Sequence, residues 1–277
     1  MLFSLPTAQP RPPAQAQASL LAPALALETL HPALWRAHQL GRTEVVALAS
    51  GFAELDAQLP GGGWPAGVLT ELLLPHAGVG ELRLLAPVLA GLQQQQRCVM
   101  WFDPPAAPCA WALSALGIDL QRLVVVHARC PLKSRARERL PAADMLWALE
   151  QALKSGHLGA VLAWLPARLP ADALRRLQLA AQAHEGPVFL LRDAQMRNRP
   201  SAAPLRLLLS CAGPDLLRVL LLKRRGPPLA QPLRLALPAV LSAPALARAL
   251  RGAAAAAAVE ASQGLDETSA ARRALSS

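Results

Sequence analysis

Apolar segments of strand length alternate with amphipathic helical segments along most of the chain, and this alternation limits the possible folds more than any other feature. Strand-like runs such as Cys98–Phe102 and Ala160–Leu165 are each followed by a stretch with helical spacing. Because parallel strands need a crossover, usually a helix, the pattern predicts an α/β fold with a mainly parallel sheet flanked by helices. Two late strands, Leu205–Ser210 and Leu216–Leu222, predict an antiparallel hairpin joined at Gly213-Pro214.

The regions outside this alternation differ in composition. Residues 1–28 are rich in Pro, Ala and Gln and predict a flexible leader. Residues 29–44 predict an N-terminal helix and a linker. The alternating pattern then defines a core over residues 45–244. Residues 245–277 predict an Ala-rich helix that continues into a disordered tail.

The balance of charge favours an acidic partner. Lysine and arginine outnumber the acids by 28 to 18, which gives a net charge of +10. Nucleic acid is the usual partner of such a chain, although a GC-rich genome also enriches arginine. No run of about 18 apolar residues is free of charges or prolines, so no membrane span is predicted. The four cysteines form no CxxC pair, which favours a cytoplasmic protein with buried free thiols and no metal.

The segment SGFAELDAQLPGGGWPAG at residues 50–67, followed by Thr70-Glu71, resembles the entry to the RecA core. Trp101-Phe102-Asp103, Leu116–Asp119 and the strand Ala160–Leu165 follow in the order of that superfamily. Within it, GFAELDAQLPGGGWP, GVGELRLL and AVLAWLP make the chain most similar to the ImuA family. The resemblance implies a RecA-like P-loop NTPase core over residues 45–244.

The resemblance also identifies a degenerate nucleotide site. A P-loop needs a Lys for the β- and γ-phosphates and a Ser or Thr for Mg²⁺. Here Gly80 or Glu81 stands at the lysine position, depending on the alignment, and Glu81 or Leu82 at the hydroxyl position. Ala163 and Trp164 occupy the Walker B position, and Asp103 follows the second core strand without an adjacent base. Pro75 and Gly78 complete the degenerate loop. We therefore expect no catalytic residue, no cofactor, no metal site and no ATP hydrolysis.

Basic loops remain as candidate contacts. In RecA-like cores the loops after the Walker B strand and after the next strand reach DNA, and arginine there suits sequence-independent phosphate contacts. The DNA-contact candidates are Arg168, Arg197, Asn198, Arg199, Lys223, Arg224 and Arg225. The alternative is that they form ordinary solvated loops and a charged strand end that discourages sheet pairing. A second basic cluster, residues 133–139, favours that alternative.

The six tryptophans divide into two groups. Trp101, Trp111, Trp147 and Trp164 lie in apolar patterns, which predicts that they belong to the core. Trp35 and Trp64 lie in a leader helix and a turn. They are candidates for contacts with a partner, because exposed tryptophan is a common interface anchor.

Resemblance to the ImuA family implies a non-catalytic scaffold of DNA-damage-induced translesion synthesis, within the SOS response. The implied partners are ImuB, which is an inactive relative of Y-family polymerases, and an error-prone C-family polymerase. DNA and RecA are further candidate partners, and no membrane is expected. Two alternatives remain open. One is a RecA-like, DNA-dependent ATPase of recombination, and the other is a division inhibitor of the SulA type that binds the tubulin-like division protein.

Overall fold

The computed structural model describes residues 46–128, 141–170, 172–226, 229, 231–240, 242, 244–245, 247–248 and 251. The chain divides into two units, Met1–Glu44 and Val45–Ser277, and every described residue belongs to the second. The predicted leader, the N-terminal helix with Trp35, Cys130, the basic cluster at 133–139 and the tail beyond 251 lie outside the described residues.

The described part of the chain contains an eight-stranded sheet of mixed α/β architecture. The strand order is β10-β9-β8-β3-β7-β6-β4-β5. The strands from β8 to β5 in this order are parallel, whereas β9 and β10 are attached antiparallel beside β8. The elements of the sheet are β3 Leu69–Leu74, β4 Cys98–Phe102, β5 Leu123–Val126, β6 Leu158–Trp164, β7 Val188–Asp193, β8 Leu205–Gly213, β9 Leu216–Lys223 and β10 Leu233–Ala236. A separate two-stranded ribbon pairs β1 Ala47–Leu48 with β2 Trp64–Pro65.

Helices cover the two faces of the sheet with separate apolar cores. The larger core includes side chains of the helices α1 Ala53–Asp56, α2 Glu81–Gln94 and α3 Ala110–Ala115. The second core is formed under α4 Ala142–Lys154 and α5 Ala173–Ala181. The central strand β3 is buried along its whole length. This pattern follows from burial on both faces, which requires a continuous apolar run instead of alternation.

The predicted hairpin is confirmed, because β8 and β9 pair antiparallel over most of their length. The strand β10 was not predicted. It adds to the outer side of β9 and leads to Leu237, whose backbone N–H donates to the carbonyl oxygen of Asp215 over 2.8 Å. The sheet therefore has one more strand beyond the hairpin. The segment after this strand lies against the start of α2, where Leu237 contacts Gly80.

Three tryptophan predictions are wrong. Trp111 is 88% exposed and Trp147 is 61% exposed, although both were assigned to the core. The helix α3 buries only Leu113, and the apolar side of α4 faces the sheet through other residues, so each indole lies on the outer side of its helix. Trp64, expected at a partner surface, is 0% exposed and packs edge-on against Phe189 with ring centroids 5.1 Å apart. Trp101 is buried as predicted, and Trp164 is half-buried against it.

The cysteine prediction is also partly wrong. Cys98, Cys109 and Cys211 are free thiols, but Cys109 and Cys211 are exposed and Cys98 is only half-buried. Among the described residues, no group of three or more His, Cys, Asp or Glu side chains could hold a metal ion. None of the described helices has the length and hydropathy needed to cross a bilayer.

Candidate functional site

A loop between β3 and α2 corresponds to the degenerate P-loop identified in the sequence. Pro75 and Gly78 are exposed in this loop, and Gly80 caps α2 with a left-handed backbone at φ 116°. Leu82 is half-buried in the first turn of the helix. The positive φ of Gly80 favours glycine, and a carbon added there would lie 2.6 Å from Leu237 Cδ1, so the Leu237 side chain would have to move.

The carboxylate of Glu81 occupies the inside of this loop. Its Oε1 accepts from the backbone N–H of Gly78 over 2.8 Å, and its Oε2 accepts from that of Gly80 over 3.1 Å. The residue is only 3% exposed. In a working P-loop the backbone N–H groups point at phosphate oxygens, and the helix N-terminus favours negative charge. The chain therefore supplies its own anion to two of the amides that a phosphate would use.

Arg83 holds the segment after β10 against this end of α2. Its guanidinium forms an ion pair with Asp215 and donates to the carbonyl oxygen of Pro238 from both Nε and one Nη, at 3.1 and 2.8 Å. The charge of Arg83 is thereby directed to the β8–β9 turn and the segment after β10. The guanidinium is therefore not directed into the loop between β3 and α2.

A cleft of about 510 Å³ lies beside the loop, at the carboxyl ends of the parallel strands. Ligands of open α/β sheets bind at this edge. Its lining combines apolar groups with histidine and aspartate: Leu74, Pro75, His76, Ala77, Asp103, Pro104, Pro105, Ala106, Ala107, His127, Trp164, Leu165, Pro166, Leu191, Arg192 and Asp193.

The residues at the predicted Walker B and catalytic positions lie in or under this cleft. Ala163 is fully buried in β6, and Trp164 contributes its indole to the cleft wall. Asp103 is buried with a left-handed φ of 49°, and its Oδ1 accepts from the backbone N–H of Ala128 over 3.3 Å. A non-glycine residue in this region of φ is uncommon. The hydrogen bond to Ala128 commits at least one carboxylate oxygen of Asp103 to the loop after β5.

A buried ion network lies beneath the loops that carry the DNA-contact candidates. Glu71 on β3 is 0% exposed and its carboxylate pairs with Arg192 over 2.7 Å and with Arg206. Arg192 also donates to the carbonyl oxygen of Ala167 over 2.9 Å. Neither arginine was among the predicted contact residues, and the structure places Arg192 in β7 and Arg206 in β8.

Arg206 fixes the loop that follows β7. Its guanidinium donates to three carbonyl oxygens: that of Met196 over 2.9 Å, that of Arg199 over 3.2 Å and that of Arg197 over 3.4 Å. These carbonyls belong to the 3₁₀ turn Ala194–Asn198 and the residue after it. The network therefore holds the backbone of both predicted DNA loops.

The side chains of the candidate DNA contacts are mostly exposed. Arg168 lies in the loop after β6, and Arg197, Asn198 and Arg199 lie in the loop after β7. At the end of β9 the Lys223 ammonium donates to the carbonyl oxygen of Ser201 over 3.1 Å. Arg224 is half-buried, with its guanidinium directed to Gln58, and Arg225 is exposed.

Comparison with known proteins places the similarity in four parallel strands of the large sheet, β3 to β6, with the helices α2 to α5. The family model described as the cell division inhibitor SulA matches residues 67–187, from just before β3 to the start of β7. The cell division inhibitor SulA of Edwardsiella piscicida is 34% identical over 121 residues, which are 44% of this chain and 64% of that protein. The SulA of Pectobacterium carotovorum is 29% identical over 126 residues, or 46% of this chain and 68% of that protein. The SulA of Serratia marcescens is 26% identical over the same shares.

These findings correct the predicted resemblance. The similarity is to cell division inhibitors and not to the ImuA family, so the prediction of a translesion-synthesis scaffold is wrong. Much of that prediction rested on the GFAELDAQLPGGGWP segment, which precedes residue 67 and lies outside the matched region. The remaining motifs, GVGELRLL and AVLAWLP, fall on a loop–helix junction and a buried strand. Apolar strands of this kind recur in many α/β proteins and discriminate poorly between families.

Proposed function

We propose that this chain is a cell division inhibitor that acts by binding a protein of the division machinery, without catalysis. The observation that carries the proposal is the similarity to SulA proteins across β3 to α5, which includes the loop filled by Glu81 and most of the cleft. The chain spans 64% of the Edwardsiella relative, so its activity as a whole protein is part of the proposal. The candidate partner is the tubulin-like division protein in the cytoplasm, and the setting is the response to DNA damage.

The geometry of Glu81 supports a non-catalytic role. A triphosphate in the loop would have to displace the Glu81 carboxylate or lie beside it. Two like charges 4 Å apart repel by about 4 kcal/mol at an effective dielectric near 20, which is about a thousandfold in affinity. The sequence supplies no lysine between Pro75 and Leu82 to offset this repulsion. We propose that the fold derives from a RecA-like P-loop core whose nucleotide site is closed by this side chain.

The cleft is the surface we assign to the partner. Its walls are formed by Leu74, Leu191 and the indole of Trp164, and His76 and His127 are exposed at its rim. Such a lining suits an apolar side chain flanked by polar groups. The site lies beside loops that are anchored by buried ion pairs, so little ordering accompanies binding.

The experiment compares the full-length chain with two variants that place the same new charge at opposite edges of the sheet. His127 lines the cleft, whereas His157 is exposed just before β6 begins, at the amino end of the strands. We expect the unaltered chain to bind the purified tubulin-like division protein and to reduce its sedimentable polymer. His127→Glu should weaken both effects at least tenfold (about 1.4 kcal/mol), and His157→Glu should leave them unchanged.

Two results would contradict the proposal. One is normal division and unchanged polymer in the presence of the folded, unaltered chain. The other is ATP turnover by this chain, with or without single-stranded DNA, that Glu81→Ala alters. Equal loss in both histidine variants would reject the cleft as the binding surface while leaving the division function in place.

A further inference from the structure

Three separate segments that carry exposed cationic side chains are connected through their main chain to the Glu71 network or to each other. The loop 166–168 is tied to Arg192 through the carbonyl of Ala167, and the loop 194–199 is tied to Arg206 through three carbonyls. Both guanidinium groups share the carboxylate of Glu71. The end of β9 joins them through the hydrogen bond from Lys223 to Ser201. We call the exposed side chains of Arg168, Arg197, Arg199, Lys223 and Arg225 the basic surface.

Negative charge is scarce around the basic surface. The sequence from residue 194 to 214 contains no Asp or Glu, and neither does the sequence from 216 to 234. Glu71 lies beneath the surface, but two arginines neutralise it. Asp193 is exposed at the edge, where its Oδ1 accepts from the backbone N–H of Gln195 over 2.7 Å. The segments that carry the basic surface therefore contain more cationic than acidic side chains, with Asp193 as the acid at their edge.

We infer that the basic surface binds the phosphodiester backbone of nucleic acid, an activity separate from division inhibition. Four of its five cations are arginines, whose planar fork fits phosphate oxygens. The network beneath fixes the main chain of both loops before any ligand arrives. Binding then orders side chains alone, which reduces its entropic cost.

The distribution of apolar groups favours nucleic acid over an acidic protein as the ligand. The cores of protein interfaces are enriched in aromatic and apolar groups. The large exposed hydrophobic side chains of the described residues all belong to other segments, at Val46, Trp111, Leu120, Val124, Trp147, Leu179 and Val240, and the leucine and tryptophan side chains of the neighbouring cleft are buried or half-buried. A surface of cations without an apolar centre matches phosphate recognition better than protein docking.

The lack of aromatic side chains in the basic surface also predicts which forms of nucleic acid it binds. Proteins that prefer single strands stack bases on aromatic side chains. The three segments of the basic surface contain no Phe, Tyr or Trp and no histidine. Duplex and single-stranded DNA of equal length should therefore bind within a few-fold of each other, without sequence preference.

The test measures binding of the full-length chain to fluorescent duplex and single-stranded oligonucleotides across a salt series. Arg197→Glu with Arg199→Glu reverses two cations of the basic surface. The matched control is Arg218→Glu with Arg234→Glu, two exposed residues that face each other across β9 and β10. Both variants change the net charge equally. Arg197→Ala with Arg199→Ala repeats the test without new negative charge, and thermal unfolding checks that each protein is folded.

We expect the loop variant to lose at least tenfold in affinity at about 100 mM salt and the control to lose less than threefold. The slope of log K against log salt on duplex DNA should fall by about 0.9 for each phosphate contact removed. Equal losses in the two variants would overturn the assignment of the surface, since only net charge would then matter. A strong preference for single strands would contradict recognition of the phosphodiester backbone alone. Capture of an acidic protein without DNA binding would show that the ligand of the basic surface is not nucleic acid.

Discussion

The backbone N–H of Gly78 donates to Oε1 of Glu81 over 2.8 Å, and this bond places a carboxylate where a P-loop would hold phosphate. The second carboxylate oxygen of Glu81 accepts a hydrogen bond from the backbone N–H of Gly80 at the start of α2. A single side chain thus accepts from two loop amides and places a negative charge in the first turn of α2.

Glu81→Ala should lower the free energy of unfolding by about 1.5–3 kcal/mol, because hydrogen bonds to a charged group are lost and the helix loses a favourable charge at its N-terminus. Urea denaturation at neutral pH measures the change. Glu54→Ala is the control, since Glu54 is an exposed acid in the first turn of α1. If both substitutions lower the free energy of unfolding by the same small amount, the hydrogen bonds of the Glu81 carboxylate do not stabilise the loop.

Glu71→Gln should destabilise the fold by about 3–5 kcal/mol, since it leaves two guanidinium groups buried without their counter-charge. Arg192 and Arg206 are each 7% exposed, so water cannot replace the carboxylate. The comparison is Glu185→Gln, which breaks the exposed pair with Arg97, formed at 3.3 Å, and should change stability by less than about 1 kcal/mol. Chemical denaturation of both variants measures the two changes in the free energy of unfolding. Similar changes for Glu71→Gln and Glu185→Gln would show that the buried network is dispensable for stability.

Trp64→Ala should destabilise the protein by about 3–5 kcal/mol, as expected for a large cavity beside Phe189. Trp147→Ala and Trp111→Ala should each stay within about 0.5 kcal/mol of the unaltered chain, because both indoles are largely exposed. Differential scanning calorimetry of the three variants checks this order. A stability loss at Trp147 as large as that at Trp64 would contradict the packing described for α4.

The sequence was sufficient to predict most strands of the sheet. Runs such as Cys98–Phe102 and the β8–β9 hairpin were located to within a few residues, since fully buried strands are continuous apolar runs. The strand β10 was missed because it has four residues and is preceded by Pro227, Pro228 and Pro232, which argue against a strand. The assignment of the fold to the RecA-like class stays a prediction.

The site was harder to predict, because its contacts depend on non-local pairing. Glu71 meets Arg192 and Arg206 only because β7 and β8 flank β3, with Arg206 in register with Glu71 and Arg192 with Leu73. The spacing of residues within a short stretch of sequence does not indicate which strands become neighbours in the sheet. The sequence shows that no lysine stands between Pro75 and Leu82, but the direction of the Glu81 carboxylate depends on the loop backbone and could not be inferred.

His184 is buried beside the charged groups of Arg97 and Glu185. Its pKa is lowered from 6.5 to about 4, chiefly by burial and also by the positive charge of Arg97, while Glu185 opposes the shift. Above pH 6.5 the imidazole is neutral in both the folded and the unfolded chain. As the pH falls from 6.5 toward 4, the unfolded chain binds a proton that the folded chain excludes, so stability declines by up to about 3 kcal/mol.

His184→Gln should remove this component, so the difference in unfolding free energy between the variant and the unaltered chain should shift in favour of the variant as the pH falls. Urea denaturation at several pH values across the window measures that difference. The control is His157→Gln, because His157 is exposed in the loop before β6. A difference between His184→Gln and the unaltered chain that stays constant with pH would mean that His184 titrates normally in the folded protein, and that its burial does not exclude the proton.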